Sequence, residues 1–180
     1  AETAVRLDYY SSQPDSRFGL SPRQMAQANL QRCRSFAEHF GSSYENLLLY
    51  GSAGLGKTFL SSCIARTVTE RGFSVTYDTA ISIFDQYNAV KFRTGDPAAA
   101  AHAVERFRSA DLLIVDDLGT EMPSSFHTSC LYDLISRRLM SRKPTILSTN
   151  LLPAELESRY SQAIASRILG EFTQLRFIGS

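Results

Sequence analysis

The chain has 180 residues, 43% of them apolar, which suits one compact core and excludes both a disordered chain and two independent domains. Its 19 basic and 18 acidic side chains leave a formal charge of +1, which excludes a global field for nucleic acid, so any such contact must be local. Cys33, Cys63 and Cys130 stand far apart with no histidine at ligand spacing, which excludes a disulfide framework or thiolate metal site and predicts reduced core thiols.

Residues 1–21 are polar and turn-rich and read as an arm laid over the domain. Ser21-Pro22 then supplies an N-cap and a proline at the first helical position, and Met25, Ala28, Leu30, Cys33 and Phe36 continue at helical spacing, predicting a helix that ends near Gly41. Beyond it strands and helices alternate. Strands are expected at 46–50, 73–77, 112–115, 145–148 and 172–178, and helices at 58–71, 81–92, 98–108, 126–139 and 153–169. This order predicts an α/β fold in three layers, a central parallel sheet covered by helices on both faces. The expected division is an N-terminal arm and helix, residues 1–41, packed on a core of residues 42–180, all one domain excised from a longer protein. No apolar run reaches the ~20 residues that cross a bilayer, and no signal-peptide layout opens the chain, so a cytoplasmic protein away from membranes is expected.

Between the first strand and the helix at 58–71 runs Gly51-Ser52-Ala53-Gly54-Leu55-Gly56-Lys57-Thr58. The glycines permit backbone conformations closed to other residues, so successive N–H groups can turn toward phosphate oxygens. The helix that starts where the loop ends adds its positive end. Lys57 supplies a point charge for the β- and γ-phosphates, and the Thr58 hydroxyl can ligate magnesium. Residues 51–59, with Phe59 closing the segment, are the candidates for binding ATP.

The apolar run at 112–115 ends in Asp116-Asp117, at the strand end where a parallel sheet presents ligands to a crevice. Asp116 is the candidate to hold magnesium through water, and Asp117 to orient or deprotonate an attacking water. The same pair could instead be turn-forming aspartates before Gly119. Asn150, after the strand at 145–148, offers a donor and an acceptor at the same sheet edge and could hold the lytic water or the γ-phosphate, although asparagine also ends strands for ordinary turn reasons.

Together these segments resemble the AAA+ ATPases of the DnaC/DnaI helicase-loader group, with IstB-type transposition ATPases as close relatives. The similarity runs through Asp8-Tyr-Tyr-Ser11, the phosphate loop with Phe59-Leu-Ser-Ser-Cys-Ile-Ala65, Asp111-Leu-Leu-Ile-Val-Asp-Asp-Leu-Gly-Thr-Glu121, Lys143-Pro-Thr-Ile-Leu-Ser-Thr-Asn150 and Ile164-Ala-Ser-Arg-Ile-Leu-Gly-Glu-Phe172. The last segment discriminates best. The resemblance implies a P-loop NTPase fold of the AAA+ type, an ATPase working with ATP/ADP and Mg2+, and self-assembly into an oligomer or open ring; the sequence departs from the family in showing no clear C-terminal lid domain. In Ala165-Ser-Arg167 it implies an arginine that reaches a neighbouring subunit's ATP; Arg167 could otherwise cap its own helix before Gly170. Related sequences carry a further arginine where this chain has Ala163, and Arg159 is a weaker candidate for the same interface.

The family also implies a replicative hexameric helicase, met through a segment outside this sequence, and single-stranded DNA as partners in replication initiation or restart. Tyr87, Lys91, Phe92 and Arg93 mix aromatic and basic groups as a single-strand contact would. They fit equally a helix that packs Ile81, Phe84 and Tyr87 inward and leaves Lys91 and Arg93 in solvent. Arg137, Arg138, Arg142 and Lys143 form a basic run that reads as solvated surface, or as a face toward a subunit or DNA. An IstB-type transposition helper would share every ATP-site residue; a P-loop kinase and a non-catalytic ATP-dependent switch are the readings from other classes.

Overall fold

The computed structural model describes residues 11–13, 19–52 and 56–178. The arm expected over 1–21 and loop residues Ala53, Gly54 and Leu55 therefore fall largely or wholly outside the described residues. In chain order the elements are α1 (Pro22–Glu38), β1 (Leu47–Gly51), α2 (Lys57–Glu70), β2 (Val75–Thr79), α3 (Ala80–Phe92), α4 (Pro97–Ser109), β3 (Leu112–Leu118), α5 (Ser125–Met140), β4 (Thr145–Thr149), α6 (Pro153–Arg159), α7 (Gln162–Glu171) and β5 (Thr173–Phe177). The five strands form one parallel sheet in the order β2-β3-β4-β1-β5.

The sheet is apolar on both sides because each side carries helices. Leu47, Leu49, Leu112, Ile114 and Ile146 pack with Cys33 and Phe36 of α1, Phe40 just beyond it, and Leu60, Ile64 and Val68 of α2. Leu48, Leu113, Val115 and Leu147 point the other way, onto α3, α4, α5, α6 and α7. Ser21 starts α1 with a full capping box: its hydroxyl accepts from Gln24 N at 3.2 Å, and its own N–H donates to Gln24 Oε1 at 2.9 Å. Asn46 ties strand entries together, since its Oδ1 accepts from Thr145 N at 2.9 Å and its carbonyl from Thr173 N at 2.8 Å.

Several local expectations shift, each for a physical reason. The strand expected at 73–77 begins at Val75, because Gly72 and Phe73 finish α2, their N–H groups donating to Thr69 O and Val68 O. The helix expected over 153–169 is two helices: Tyr160 leaves helical geometry at φ −116°, ψ −83°, and the Ser161 hydroxyl caps α7 by accepting from Ile164 N. With Thr79 as the N-cap of α3, the inward stripe is Ala80, Ile83, Phe84 and Tyr87, so Ile81 lies off it and is 48% exposed. Cys63 likewise lies off the buried stripe of α2 and is exposed, whereas Cys33 and Cys130 are buried as expected.

The largest correction concerns the basic run. Arg138 is 1% exposed and lies at the amino ends of β3 and β4. Its Nε donates to Thr145 Oγ1 at 2.8 Å, its Nη1 to the carbonyls of Phe107 and Ala110 at 3.0 and 2.9 Å, and its Nη2 to Pro144 O at 2.8 Å. These carbonyls lie where helix α4 ends and the strands begin, and the guanidinium fork satisfies them together. Only its neighbours in sequence face outward, Arg137 pairing with Asp133 at 2.8 Å and Arg142 lying over the Tyr44 ring.

Candidate nucleotide site

The segment that joins β1 to α2 starts at the carboxyl end of the parallel sheet. Gly51 leaves β1 at φ +138°, where an added Cβ would stand 2.0 Å from the Phe177 carbonyl oxygen, so only glycine allows β5 to lie this close. Gly56 takes a left-handed conformation, φ +86°, as N-cap of α2, and it has no side chain to cover the first N–H groups of that helix. Those donors are the group a phosphate would use. Ser52 and Phe59 flank the loop on either side.

Lys57 opens α2 and is 5% exposed. Its Nζ donates to Gly51 O and Ser52 O, both at 2.8 Å, which holds the ammonium at the end of β1. Burial lowers its proton affinity, and the charges of Asp117 and Asp116 act in the opposite direction. Beside it, Thr58 Oγ1 donates to Asp116 Oδ2 at 3.0 Å. The Tyr77 hydroxyl donates to the same oxygen at 2.8 Å, and Asp116 Oδ1 accepts from the Asp117 N–H at 3.1 Å. Burial first, and then the hydrogen bond to Asp116, push the Tyr77 phenol well above its ordinary range, so it stays a donor. Sequence reading did not single out Tyr77, although it placed the residue at the end of a strand; the pairing of that strand with β3 is what brings it to Asp116.

One carboxylate and one hydroxyl oxygen within hydrogen-bond distance are hard oxygen donors of the kind Mg2+ takes alongside phosphate and water. Among the described residues no group of three or more His, Cys, Asp or Glu could hold a metal.

Asp117 lies within a break in the β3–β4 register between Val115 and Leu118 and adopts φ +54°, rare for a residue with a side chain. The bulge turns Asp117 outward while Asp116 stays buried. Thr149 donates to Leu118 O at 2.6 Å, fixing the end of β4 against this turn, and Asn150 stands exposed at the next position. Asp116, Asp117 and Asn150 thus lie at the carboxyl edge of two adjacent strands, and of the three Asp116 touches Thr58.

Arg167 lies elsewhere. It is exposed on α7, its guanidinium over the Tyr132 ring of α5 at 5.5 Å and its Nη2 3.4 Å from the Tyr132 hydroxyl oxygen. Arg159, the weaker candidate for the same interface, is turned inward and pairs with Glu121 at 3.3 Å. Glu121 itself was missed as a site feature, because its partners Arg159 and Tyr160 are distant in sequence. The four residues proposed for DNA separate. Tyr87 is in the core, its ring stacked on Phe107, so in this conformation it presents no face to a base. Phe92 is 61% exposed, Arg93 is exposed beside it, and the Lys91 ammonium lies over the Phe126 ring at 3.8 Å and the Phe92 ring at 5.3 Å.

A parallel five-stranded sheet with a glycine loop leading from its β1 strand into a helix defines a P-loop nucleotide-binding protein of the AAA+ class. More particularly, the chain belongs to the family of IstB-like ATP binding proteins, whose model matches residues 16–174. It is 25% identical over 141 residues to the replicative helicase loader DnaC of Escherichia coli K12, covering 77% of this chain and 56% of that protein. An insertion-sequence ATP-binding protein of Mycobacterium tuberculosis is 28% identical over 116 residues, 61% of this chain and 42% of its own length. The chain thus spans about half the length of these curated relatives. In fold it is similar to the crystal structure of the DnaC helicase loader, with TM-score 0.74, 22% identity and 95% of each chain covered. It is also similar to AMPPCP-bound DnaA of Aquifex aeolicus, with TM-score 0.73, 22% identity, and 86% and 47% covered.

Proposed function

We propose that this chain is the ATP-hydrolysing domain of a cytoplasmic replicative helicase loader, with residues 42–180 as the ATPase core and helix α1 packed on it. The observation that supports hydrolysis is the contact of Thr58 with Asp116 at 3.0 Å beside the buried Lys57, the residues this reading assigns to magnesium and to phosphate. On this reading the α2 N–H groups and Lys57 hold the phosphates, and Thr58 and Asp116 hold Mg2+, which when bound neutralises charge on the phosphate oxygens. Asp117 accepts the proton of the water whose oxygen attacks the γ-phosphorus, while the bond to the β-phosphate oxygen breaks and ADP leaves. Asn150 orients that water. Arg167 acts on the neighbouring subunit's nucleotide, in keeping with its outward position on α7.

Loading as the use of this hydrolysis is supported by the DnaC relatives. ATP would favour an assembled state engaged on single-stranded DNA through Lys91, Phe92 and Arg93, and hydrolysis would release it. The insertion-sequence relative favours a second reading, a transposition helper with the same ATP chemistry. Capture of the host's replicative helicase by the full-length protein supports loading; capture of a transposase instead replaces it. For the chemistry, Arg167→Ala is expected to leave ATP affinity within about 2-fold and lower turnover of the assembled protein ~10³-fold. Loss of ATP binding by the isolated protein would place the arginine in its own subunit's site. Phosphate release with no acceptor present separates an ATPase from a kinase or a silent switch.

A further inference from the structure

Behind the carboxylate turn lies a polar cluster that the reactions above leave unused. Glu121 is 7% exposed and is held from three directions. Its Oε2 accepts from Gly119 N at 2.9 Å, and its Oε1 accepts from the Tyr160 hydroxyl and lies 3.3 Å from Arg159 Nη2. The same guanidinium nitrogen donates to the Glu121 carbonyl, and the guanidinium lies 4.7 Å from the Tyr160 ring centre. A buried carboxylate with this set of partners holds one geometry, because each partner left unpaired there carries a desolvation cost.

What the cluster joins gives it meaning. On one side is the turn after Asp117. Gly119 stands at φ +100°, where an added Cβ would meet Leu151 Cδ1 at 2.8 Å, so the turn is closed against the residue that follows Asn150. Thr149 grips the same turn through Leu118 O. Glu121 therefore fixes a segment that would otherwise relax the unfavourable φ of Asp117. On the other side Tyr160 immediately precedes Ser161, the cap from which α7 departs, and α7 carries Arg167.

We propose that Glu121, with Arg159 and Tyr160, is a positioning unit for both halves of a composite site: it sets Asp117 for the subunit's own nucleotide and sets the α7 that presents Arg167 to the neighbour's. This rests on the reading of Asp117 and Arg167 given above. None of the three residues touches the reacting atoms; their effect passes through the turn and the helix start. Charge is central to the unit, since Glu121→Gln keeps an acceptor for Gly119 but leaves the Arg159 guanidinium without its counter-ion.

The test measures kcat, ATP affinity and subunit complementation in full-length protein assembled on single-stranded DNA. Glu121→Gln is expected to lower kcat ~10-fold with ATP affinity within 2-fold, the split a displaced proton acceptor gives and a general loss of fold does not. Unchanged kcat overturns the first half of the proposal. For the second half, Lys57→Ala subunits, which retain Arg167, are mixed with Arg167→Ala subunits, which retain their own phosphate loop. The mixture is expected to regain hydrolysis, and the regain is expected to shrink severalfold when Glu121→Gln is added to the Lys57→Ala donor. Equal regain from both donors overturns the coupling to α7. No regain from the Lys57→Ala donor itself overturns the reading of Arg167 in trans, and the coupling to α7 with it. Should Glu121→Gln fail to fold by helix content, Tyr160→Phe removes one hydroxyl, keeps the ion pair and carries the same two expectations at about one third of the size.

Discussion

Two buried cations stand at opposite ends of the sheet, and the contrast between them separates structure from chemistry. Arg138, at the amino ends of β3 and β4, directs all its nitrogens at fixed acceptors: one hydroxyl and the carbonyls of Phe107, Ala110 and Pro144. Lys57, at the carboxyl ends, meets two carbonyls of its own loop, Gly51 and Ser52. Burial lowers the proton affinity of both, bringing Arg138 down to about 10, yet it does so against different surroundings. The Arg138 fork resolves a local shortage of donors and is complete as it stands. Lys57 rests on two backbone acceptors at the end of β1, within reach of the charges of Asp117 and Asp116, so on the proposed reading its charge is available to a phosphate that arrives. A buried cation therefore signals a ligand site only when its partners are ones a ligand could replace.

The contrast can be broken by exchange of effects. Arg138→Ala is expected to cost about 3–5 kcal/mol of stability, because several buried carbonyls lose their donor at once, with nucleotide affinity unchanged wherever the protein remains folded. Urea unfolding measures the first and a fluorescent ATP titration the second. Lys57→Ala is expected to show the reverse, ATP affinity ~100-fold weaker, equivalent to about 3 kcal/mol, with the unfolding midpoint close to that of the parent. If Lys57→Ala unfolds the protein instead, the two cations are of one kind. Arg137→Ala sharpens the comparison from within the same basic run: its side chain is 57% exposed in an i,i+4 pair with Asp133, and a stability change below about 0.5 kcal/mol is expected in the same urea experiment.

Much of the site was legible because it obeys local rules. A glycine loop between a strand and a helix, and an apolar run ending in two aspartates, both depend on a few consecutive residues, and the structure brings Lys57, Thr58 and Asp116 together. Ser21-Pro22 announced α1 by the same kind of rule. Arg138 was legible in spacing but hidden by its charge: Leu131, Leu134 and Ile135 point inward from α5, and the same helical spacing carries position 138 to that face. Tyr87 follows the same logic on α3, where the stripe of Ala80, Ile83 and Phe84 takes it into the core. The Glu121 cluster had no local signal. Its partners lie beyond α5 and β4, and nothing in the run Gly119-Thr-Glu121 states that a carboxylate there meets an arginine and a tyrosine from the α6–α7 corner.

Gly51 also dictates an order of events during synthesis. Its bare Cα lets the Phe177 carbonyl into the space a side chain would fill, so the residue that begins the phosphate loop is seated by the last residue of β5. β1 pairs with β4 on one side and β5 on the other, both made long after it. A nascent chain that has released α2 from the ribosome holds every residue of the loop and none of the neighbours that frame it, so the loop's frame is completed only when β5 emerges. Partly synthesised chains would then be unable to capture nucleotide, and a truncation before β5 would silence the site without touching a single residue that faces it.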